Sequence, residues 1–238
     1  MNEIFFCGDT HGHFDHILEA VQRYRPAALI FLGDLQPKQP LEIVLAPILT
    51  DTEVYFIHGN HDTDAEADYD HLFGSALADH NLHGRVVTIA GVRIAGLGGV
   101  FRGQVWMPPS EALFETPEDY CARCGRGNLW RGGLPRKHRS SIFPSDYFSL
   151  LGQRADVLVT HEAPSGHPHG FAVIDDLARS LGVTKTFHGH HHDRLDYRAE
   201  RNRLGFDAYV VGLWGMTDLN GQIIHPGKHD EARAGQMK

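Results

Sequence analysis

The feature that most constrains the fold is a short apolar run ending in glycine and a polar residue, which occurs three times in the first sixty residues. The runs are "EIFFCGD", "AALIFLGD" and "EVYFIHGN", and the stretches "HFDHILEAVQRYR" and "LEIVLAPILT" between them have apolar residues at helical spacing. Strands alternating with helices are typical of a parallel or mixed α/β sheet. Ligands of such sheets bind beyond the carboxyl ends of the strands, so Asp9, Asp34 and Asn60 should meet at one rim.

The rest of the chain predicts more strands around an irregular insert. A helical connection is expected over residues 64–82, and "RVVTIAGVRIAGLGG" alternates like a hairpin that turns at Ala90-Gly91. The strand pattern resumes at "ADVLVTHEAP", the helix "FAVIDDLARSLG" follows, and "TKTFHGHHH", "RLDYRAE" and "FDAYVVGLWG" are strand-like. Residues 101–143, the basic insert, show little periodicity, which indicates a functional or disordered segment. We predict one domain over residues 1–227 and a frayed tail over residues 228–238.

Composition narrows the class of protein. The chain has 238 residues, of which 42% are hydrophobic and 22% charged, as expected for a globular protein with a sizeable core. Its apolar runs are too short to cross a bilayer, and the N-terminus has no basic n-region, so we expect a cytoplasmic protein. A net charge of −8 disfavours broad electrostatic binding to nucleic acid or anionic membranes, although a local basic patch stays compatible with it.

The three cysteines cannot form a disulfide framework. Cys121 and Cys124 form one CxxC pair, but a closed zinc site needs four ligands and no second CxxC is present. Two interpretations therefore stay open: structural thiols, or half of a small metal site completed by histidines.

Five short motifs at predicted strand ends supply metal-binding side chains. They contain Asp9 and His11 in "GDTHG", Asp34 in "GDLQ", Asn60, His61 and Asp62 in "GNHD", His161 in "THEAP", and His190 and His192 in "GHHH". Carboxylates, imidazoles and an amide oxygen suit manganese, iron(II) or zinc. Seven of these nine side chains already exceed the needs of one tetrahedral ion, but two ions about 3.5–4 Å apart that share a carboxylate would use all seven.

The order of these motifs resembles the calcineurin-like metallophosphoesterases, whose pattern is GDxH, GDxx, GNH(D/E), a lone His and GHxH. The resemblance covers residues 3 to 215 apart from the basic insert. It implies an α/β fold of mixed β-sheets, a two-sheet sandwich flanked by helices, with the metal site at the carboxyl rim of the strands. It also implies a binuclear phosphoester hydrolase in which a metal-bridging hydroxide attacks phosphorus in line, with Mn as the expected metal and Fe or Zn as alternatives.

The same resemblance assigns a role to each matching position. It places Asp9, His11 and His192 on the first ion, Asn60, His161 and His190 on the second, and Asp34 between the two. His61 would be no ligand but a general acid or a donor to the phosphoryl group, so His61 and Asp34 are the expected catalytic residues and Asn60 and His61 also contact substrate. We expect Asp62 to orient His61 or to cap the following helix.

The "GHHH" motif raises the question of how neighbouring histidines reach two ions. Side chains alternate along an extended chain, so His190 and His192 would leave opposite sides of the backbone and each would reach one ion. His191 would then point away, and His188 would support the ligands from behind.

The basic insert predicts a further contact with substrate. From Cys121 to Arg139 it carries five arginines and Lys137 without an acidic residue, and Trp130 lies among them. A solvated charged loop is the alternative interpretation. Because arginine binds phosphate oxygens bidentately, we predict that Arg126, Arg131 or Arg139 contacts substrate phosphate.

The motifs narrow the substrate without fixing it. "GDTHG" and "GNHD" are similar to the branch of the family with protein serine/threonine phosphatases and dinucleoside tetraphosphatases, which continues GDxVxRG where this chain has "GDLQPKQP". The missing arginine favours a small or nucleotide-like phosphomonoester or phosphodiester over a phosphoprotein. A nuclease, a protein phosphatase and a non-catalytic scaffold of the same fold stay as alternatives, and the sequence does not predict the oligomeric state.

Overall fold

Two five-stranded β-sheets form the centre of the computed structural model, which describes residues 3 to 230. The strands in chain order are β1 (Ile4–Cys7), β2 (Ala28–Leu32), β3 (Glu53–Ile57), β4 (Arg85–Ile89), β5 (Val92–Leu97), β6 (Val157–Thr160), β7 (Lys185–His188), β8 (Asp207–Val210), β9 (Met216–Asp218) and β10 (Ile223–His225). The first sheet has the order β10-β9-β1-β2-β3 and the second the order β4-β5-β6-β7-β8.

Both sheets are mixed, which confirms the predicted fold class. In the first sheet β1, β2 and β3 are parallel, with Phe6 opposite Ile30 and Ile30 opposite Tyr55, while β9 and β10 run antiparallel at one side. In the second sheet β5 to β8 are parallel and β4 is antiparallel. The carboxyl ends of β1, β2 and β3 therefore lie at one edge of the first sheet, and those of β5 to β8 at one edge of the second.

Helices cover the outer face of each sheet. They are α1 (Asp15–Tyr24), α2 (Leu41–Val44), α3 (Glu66–Phe73), α4 (Pro117–Arg123), α5 (Pro144–Leu150), α6 (Ala172–Leu181) and α7 (Arg201–Leu204). In α1 the buried residues Ile17, Ala20 and Val21 follow helical spacing and pack with the outer face of the first sheet. Within residues 3 to 230, no helix has the length and apolar character needed to cross a membrane.

The strands are apolar on both faces because each sheet is covered on both sides. Phe5 and Cys7 belong to the cluster between the first sheet and its helices, whereas Ile4 and Phe6 belong to the cluster between the two sheets. Phe6 stacks on Phe187 of β7, with ring centroids 3.8 Å apart and planes 5° from parallel. This dry layer fixes the spacing of the sheets.

Several local predictions are confirmed. The hairpin of β4 and β5 turns at Ala90 and Gly91, whose φ angles of 48° and 87° fit the two-residue turn that suits twisted strands. The helix predicted for "FAVIDDLARSLG" is α6, which ends at Gly182 in the left-handed conformation.

Other local predictions are wrong for identifiable reasons. The run "RLDYRAE" is no strand, because the carboxylate of Asp196 accepts a hydrogen bond from the backbone N–H of Arg198 and closes a turn. The helix predicted for "LEIVLAPILT" ends at Val44, shortly before Pro47. Strands β9 and β10 were not predicted, since three residues each are too few to show alternation.

The basic insert is more regular than its sequence indicates. It contains α4, which Thr116 caps by accepting a hydrogen bond from the N–H of Asp119, and 3-10 turns over residues 126–128 and 136–140. At the start of the predicted tail, the N–H of Lys228 donates to the carbonyl of Leu213 at 2.7 Å. The remainder of that tail, from residue 231, lies outside the described residues.

We expect Phe187→Ala to lower the free energy of unfolding by about 3–5 kcal/mol, because it opens a cavity between the two sheets. Urea denaturation measures the change. Phe148→Ala is the matched control: Phe148 is 56% exposed, and its truncation should change stability by less than about 0.5 kcal/mol. Equal effects of the two substitutions would contradict the stacked inter-sheet layer.

Candidate metal centre

The carboxyl ends of five strands bring the predicted ligands together. Asp9 and Asp34 come two residues after β1 and β2, and Asn60 comes three residues after β3. His161 follows β6 directly, and the "GHHH" segment follows β7. Asp9 and His161 are 0% exposed and Asp34 is 1% exposed, so charged and polar groups are buried where the two sheets meet.

The glycines before the polar residues are required by this convergence. A Cβ atom on Gly33 would lie 2.3 Å from Nδ1 of His161, and one on Gly59 would lie 2.3 Å from Oδ1 of Asp34. Any larger residue would displace a ligand. The Gly-polar pairs that predicted the rim are thus needed to bring backbone and side chains from both sheets into contact.

The first group of donors comprises Asp9, His11, Asp34 and His192, which offer ligand atoms within 4.8 Å of one another. Nε2 of His192 lies 3.0 Å from Oδ2 of Asp9 and 3.1 Å from Nε2 of His11. Two ring nitrogens and a carboxylate oxygen that face one another at this distance form a site suited to a cation.

The second group comprises Asp34, His161 and His190, also within 4.8 Å. Nε2 of His161 lies 3.3 Å from Oδ2 of Asp34, but neither atom has a hydrogen-bond partner among the described residues. Oδ1 of Asn60 is likewise buried without a partner in that part of the chain. Buried polar atoms without partners are costly, and a divalent ion bound to them would remove that cost. The donor set therefore fits a metal ion.

The electrostatics of the cluster show the same need for positive charge. Burial disfavours the charged imidazolium of His161, yet the carboxylates of Asp34 and Asp9 raise its pKa to about 10. Burial alone would raise the pKa of Asp34, but the facing His161 holds that pKa below its usual range. Burial and the charge of His161 lower the pKa of His190 to about 3, so the ring of His190 is neutral, the form in which imidazole binds metal.

The backbone of the site is strained. Five non-glycine residues of the motifs have a left-handed conformation: His11, Asp34, Gln36, His190 and His192, with φ between 43° and 72°. The expectation that the "GHHH" segment is extended is therefore wrong. The left-handed backbone of His190 and His192, and not the alternation of an extended strand, sets the direction of their side chains. Each such residue costs about 1–3 kcal/mol, and strain of this kind concentrates at functional sites.

Hydrogen bonds behind the ligands fix their orientation. Nδ1 of His161 lies 2.7 Å from the carbonyl oxygen of Leu32, and Nδ1 of His11 lies 2.6 Å from Oε1 of Gln36. Donation from each Nδ1–H leaves Nε2 free to bind metal. The backbone N–H of His190 donates to Oδ2 of Asp9 at 2.9 Å. Sequence reasoning missed Gln36, since nothing local marks it as a partner of His11.

His61 lies at the exposed side of the cluster. Its backbone N–H donates to Oδ1 of Asp34 at 2.7 Å, and its Nδ1 lies 2.5 Å from Oδ2 of Asp64. Asp64, three residues further on, thus orients the ring, a role that the sequence predicts for Asp62. Asp62 instead accepts hydrogen bonds from the backbone N–H groups of Gly59 and Gln36 and holds two of the motifs together.

The middle histidine of "GHHH" supports the motif from one side. The ring of His191 stacks on His167, with ring centroids 3.9 Å apart. Together with Glu162 and His190, His191 forms a third group whose atoms could hold a cation, but this group does not contain Asp34. His191 therefore belongs to neither of the two groups that share that carboxylate, although its own group shares His190 with the second of them.

The histidine before the motif's glycine is a buried support. Nε2 of His188 lies 2.8 Å from the hydroxyl of Tyr197. Burial lowers the pKa of His188 to about 3, so this ring is neutral.

The arginines predicted to contact substrate are largely engaged elsewhere. Arg131 forms an ion pair with Asp70 and lies 3.5 Å from Glu66, both on α3. Arg139 donates to the hydroxyl of Tyr69 at 2.9 Å and lies over the ring of Trp130. Arg126 is exposed in a 3-10 turn. Contact of these three arginines with substrate stays a prediction.

The CxxC pair lies apart from the donor groups. Sγ of Cys124 lies 3.6 Å from the carbonyl oxygen of Cys121, and both thiols are free. None of the possible metal-binding groups found within residues 3 to 230 includes a cysteine. Of the two interpretations left open by the sequence, the structural one is therefore favoured.

We expect Gln36→Ala to weaken the binding of Mn²⁺ by about 10–100-fold, because His11 loses the partner that fixes its ring. Isothermal titration of the metal-free protein with Mn²⁺ measures the affinity. Gln153→Ala is the control, since the side chain of Gln153 donates only to the carbonyl of Ser149 in its own turn. An unchanged affinity in Gln36→Ala would show that His11 needs no such support.

Comparison with known proteins agrees with this geometry. A protein of Haemophilus influenzae named only "Uncharacterized protein" is 47% identical over 221 residues, which cover 93% of this chain and 96% of the relative. The crystal structure of TT1561 from Thermus thermophilus has the same fold, with a TM-score of 0.56, 13% identity and coverage of 92% of this chain and 95% of that one. The family model for calcineurin-like phosphoesterases matches residues 3–194. The chain belongs to the calcineurin-like phosphoesterase family.

Proposed function

We propose that the protein is a binuclear member of this family of metal-dependent phosphoester hydrolases. Asp9, His11 and His192 would hold one ion, Asn60, His161 and His190 a second, and Asp34 both. The observation that carries the proposal is the position of Asp34, which belongs to both groups of donor atoms. When bound, the two ions would lower the pKa of a coordinated water and neutralise charge on a phosphoryl group.

The protein's own residues would then position the substrate and supply a proton. His61 is suited to this role because its ring is 44% exposed, lies near His11, and has Nδ1 held by Asp64. With Nδ1 held by Asp64, Nε2 is the nitrogen left to donate to a phosphoryl or leaving-group oxygen. The buried ligands Asp9, Asp34 and His161 cannot reach an incoming ester except through the ions.

A small or nucleotide-like phosphoester is the substrate that we propose, with Mn²⁺ as the metal and Fe or Zn as alternatives. The net charge of −8 disfavours a nucleic acid as substrate, although it does not eliminate a nuclease. No observation specifically supports a protein phosphatase or a non-catalytic scaffold. The cytoplasmic location and the single domain over residues 1–227 stay predictions from the sequence.

The decisive experiment is a substrate panel for the purified protein: an aryl phosphomonoester, an aryl phosphodiester, a cyclic nucleotide and a dinucleoside polyphosphate, each with Mn²⁺, Fe²⁺ and Zn²⁺. We expect metal-dependent hydrolysis of at least one of these substrates.

Asp34→Asn should reduce kcat/KM by more than about 100-fold and weaken metal binding, because it removes the shared charge. Asp51→Asn, at an exposed turn, is the matched control and should leave both unchanged. A fully active Asp34→Asn variant would refute the bridging role.

We expect His61→Ala to retain both metal ions and to lose about 10²–10⁴-fold in kcat, since it removes a proton donor without removing a ligand. Metal analysis after desalting and steady-state kinetics separate the two effects. His229→Ala tests the loss of an exposed histidine and should match the wild type. Loss of bound metal in His61→Ala would instead identify His61 as a ligand.

A further inference from the structure

Arg102 is held beside the metal centre by contacts to both sheets. In the loop after β5, the N–H of Gly99 donates to the carbonyl of His58 at 2.7 Å, next to the "GNHD" motif. The N–H of Phe101 donates to Oε1 of Glu162 at 2.9 Å, next to His161. The loop that carries Arg102 therefore spans from the end of β3 to the end of β6.

A chain of hydroxyl groups connects Arg102 to the second donor group. Nη2 of Arg102 donates to Oγ of Ser140 at 3.3 Å, and that hydroxyl lies 2.8 Å from Oγ1 of Thr63. Thr63 in turn donates to the backbone carbonyl of Asn60 at 3.3 Å. The position of the guanidinium is thus coupled to the backbone of a proposed metal ligand.

The guanidinium of Arg102 lacks a charged partner. Its Nη1 is buried and has no hydrogen-bond partner among the described residues, and none of the ion pairs found there includes Arg102. Burial lowers the pKa of Arg102, while Asp64, Glu162 and Asp34 act on its charge from beyond ion-pair distance and raise that pKa. A half-buried cation without a counterion is costly unless a ligand supplies one.

Within residues 3 to 230, Arg136 and Arg139 also lack an ion pair, but nearby arginines differ from Arg102 in the partners of their guanidinium nitrogens. Arg136 donates to the carbonyl oxygens of Thr63 and Asp64, at 3.1 and 2.7 Å. Arg131 is paired with Asp70, and both terminal nitrogens of Arg139 donate, to Tyr69 and to the carbonyl of Trp130, while its Nε is buried without a partner among the described residues. Their guanidinium groups serve the packing of the basic insert, whereas the free nitrogen of Arg102 has no such use.

We propose that Arg102 binds the phosphoryl group of the substrate through its guanidinium group. The inference rests on the proposed function, since it assigns the phosphate contact of that same site. An anionic phosphoryl oxygen supplies both the hydrogen-bond acceptor and the counterion that Arg102 lacks. Arg102 is not itself one of the proposed metal ligands, so its side chain can be removed while the full set of ligands stays in place.

Inorganic phosphate is the probe that tests the contact. For Mn²⁺-loaded protein, we expect Arg102→Ala to raise the inhibition constant of phosphate and to lower kcat/KM by at least about tenfold each, the scale of one charge-assisted hydrogen bond. Arg102→Lys keeps the charge and should lie between Arg102→Ala and the wild type. Arg93→Ala is the matched control, because Arg93 lies near the start of β5, pairs with Asp156 and should change neither constant.

Three measurements make the outcome unambiguous. The Mn²⁺ content of both Arg102 variants must match that of the wild type. Loss of Mn²⁺ in Arg102→Lys would overturn the proposal, because it would show that Arg102 has a structural role. Guanidinium ion at millimolar concentration should restore part of the activity of Arg102→Ala. Phosphate inhibition within twofold of the wild type in both variants would overturn the proposal.

The test also separates this contact from the proposed function. Calorimetric titration of Mn²⁺-loaded protein with phosphate needs no turnover. If the wild type hydrolyses nothing, weaker phosphate binding in the Arg102 variants still supports the contact, and equal binding overturns it. If Arg102→Ala does not fold, as judged by its thermal transition, the comparison of Arg102→Lys with the wild type decides.

Discussion

The structure depends on burying two carboxylates, Asp9 and Asp34, where the carboxyl ends of two sheets meet. Uncompensated negative charge at such a depth would cost several kcal/mol per group. His161 compensates it in part, which is why the pKa of that imidazole rises to about 10 despite burial. A divalent ion would compensate it more fully, because it would also satisfy the buried atoms of Asp34, His161 and Asn60 that have no partner among the described residues.

The burial of these two carboxylates at the junction of the sheets explains features of both sheets. The stacked rings of Phe6 and Phe187 set the distance between the sheets, so that strand ends from one sheet reach side chains from the other. Glycine at positions 33 and 59 leaves room for Asp34 and His161. The left-handed residues of the motifs add strain that the packed strands below them sustain.

The features that could be predicted from the sequence are those that depend on neighbouring residues in the chain. Gly-polar pairs after apolar runs identified the strand ends, and parallel pairing of those strands brought the polar residues to one rim. The sequence could not predict contacts between distant segments. Gln36 beside His11, and Arg131 beside Asp70, join residues 25 and 61 positions apart, and no periodicity marks such pairs. Nor could it predict the left-handed backbone of His190 and His192, since only a small share of non-glycine residues adopts that conformation.

The distribution of positive charge bears on the choice of substrate. In the basic insert, Arg131 is neutralised by acidic residues of α3, and Arg139 is held between Tyr69 and Trp130. Arginines so engaged do not form the broad basic surface that a polyanion such as nucleic acid requires, and the chain as a whole carries a charge of −8. In the function that we propose, attraction for phosphate would come from within the site, from bound ions and the half-buried cation of Arg102. A local source of charge favours a single phosphoryl group over an extended backbone, which is why we propose a small phosphoester rather than a nucleic acid as the substrate.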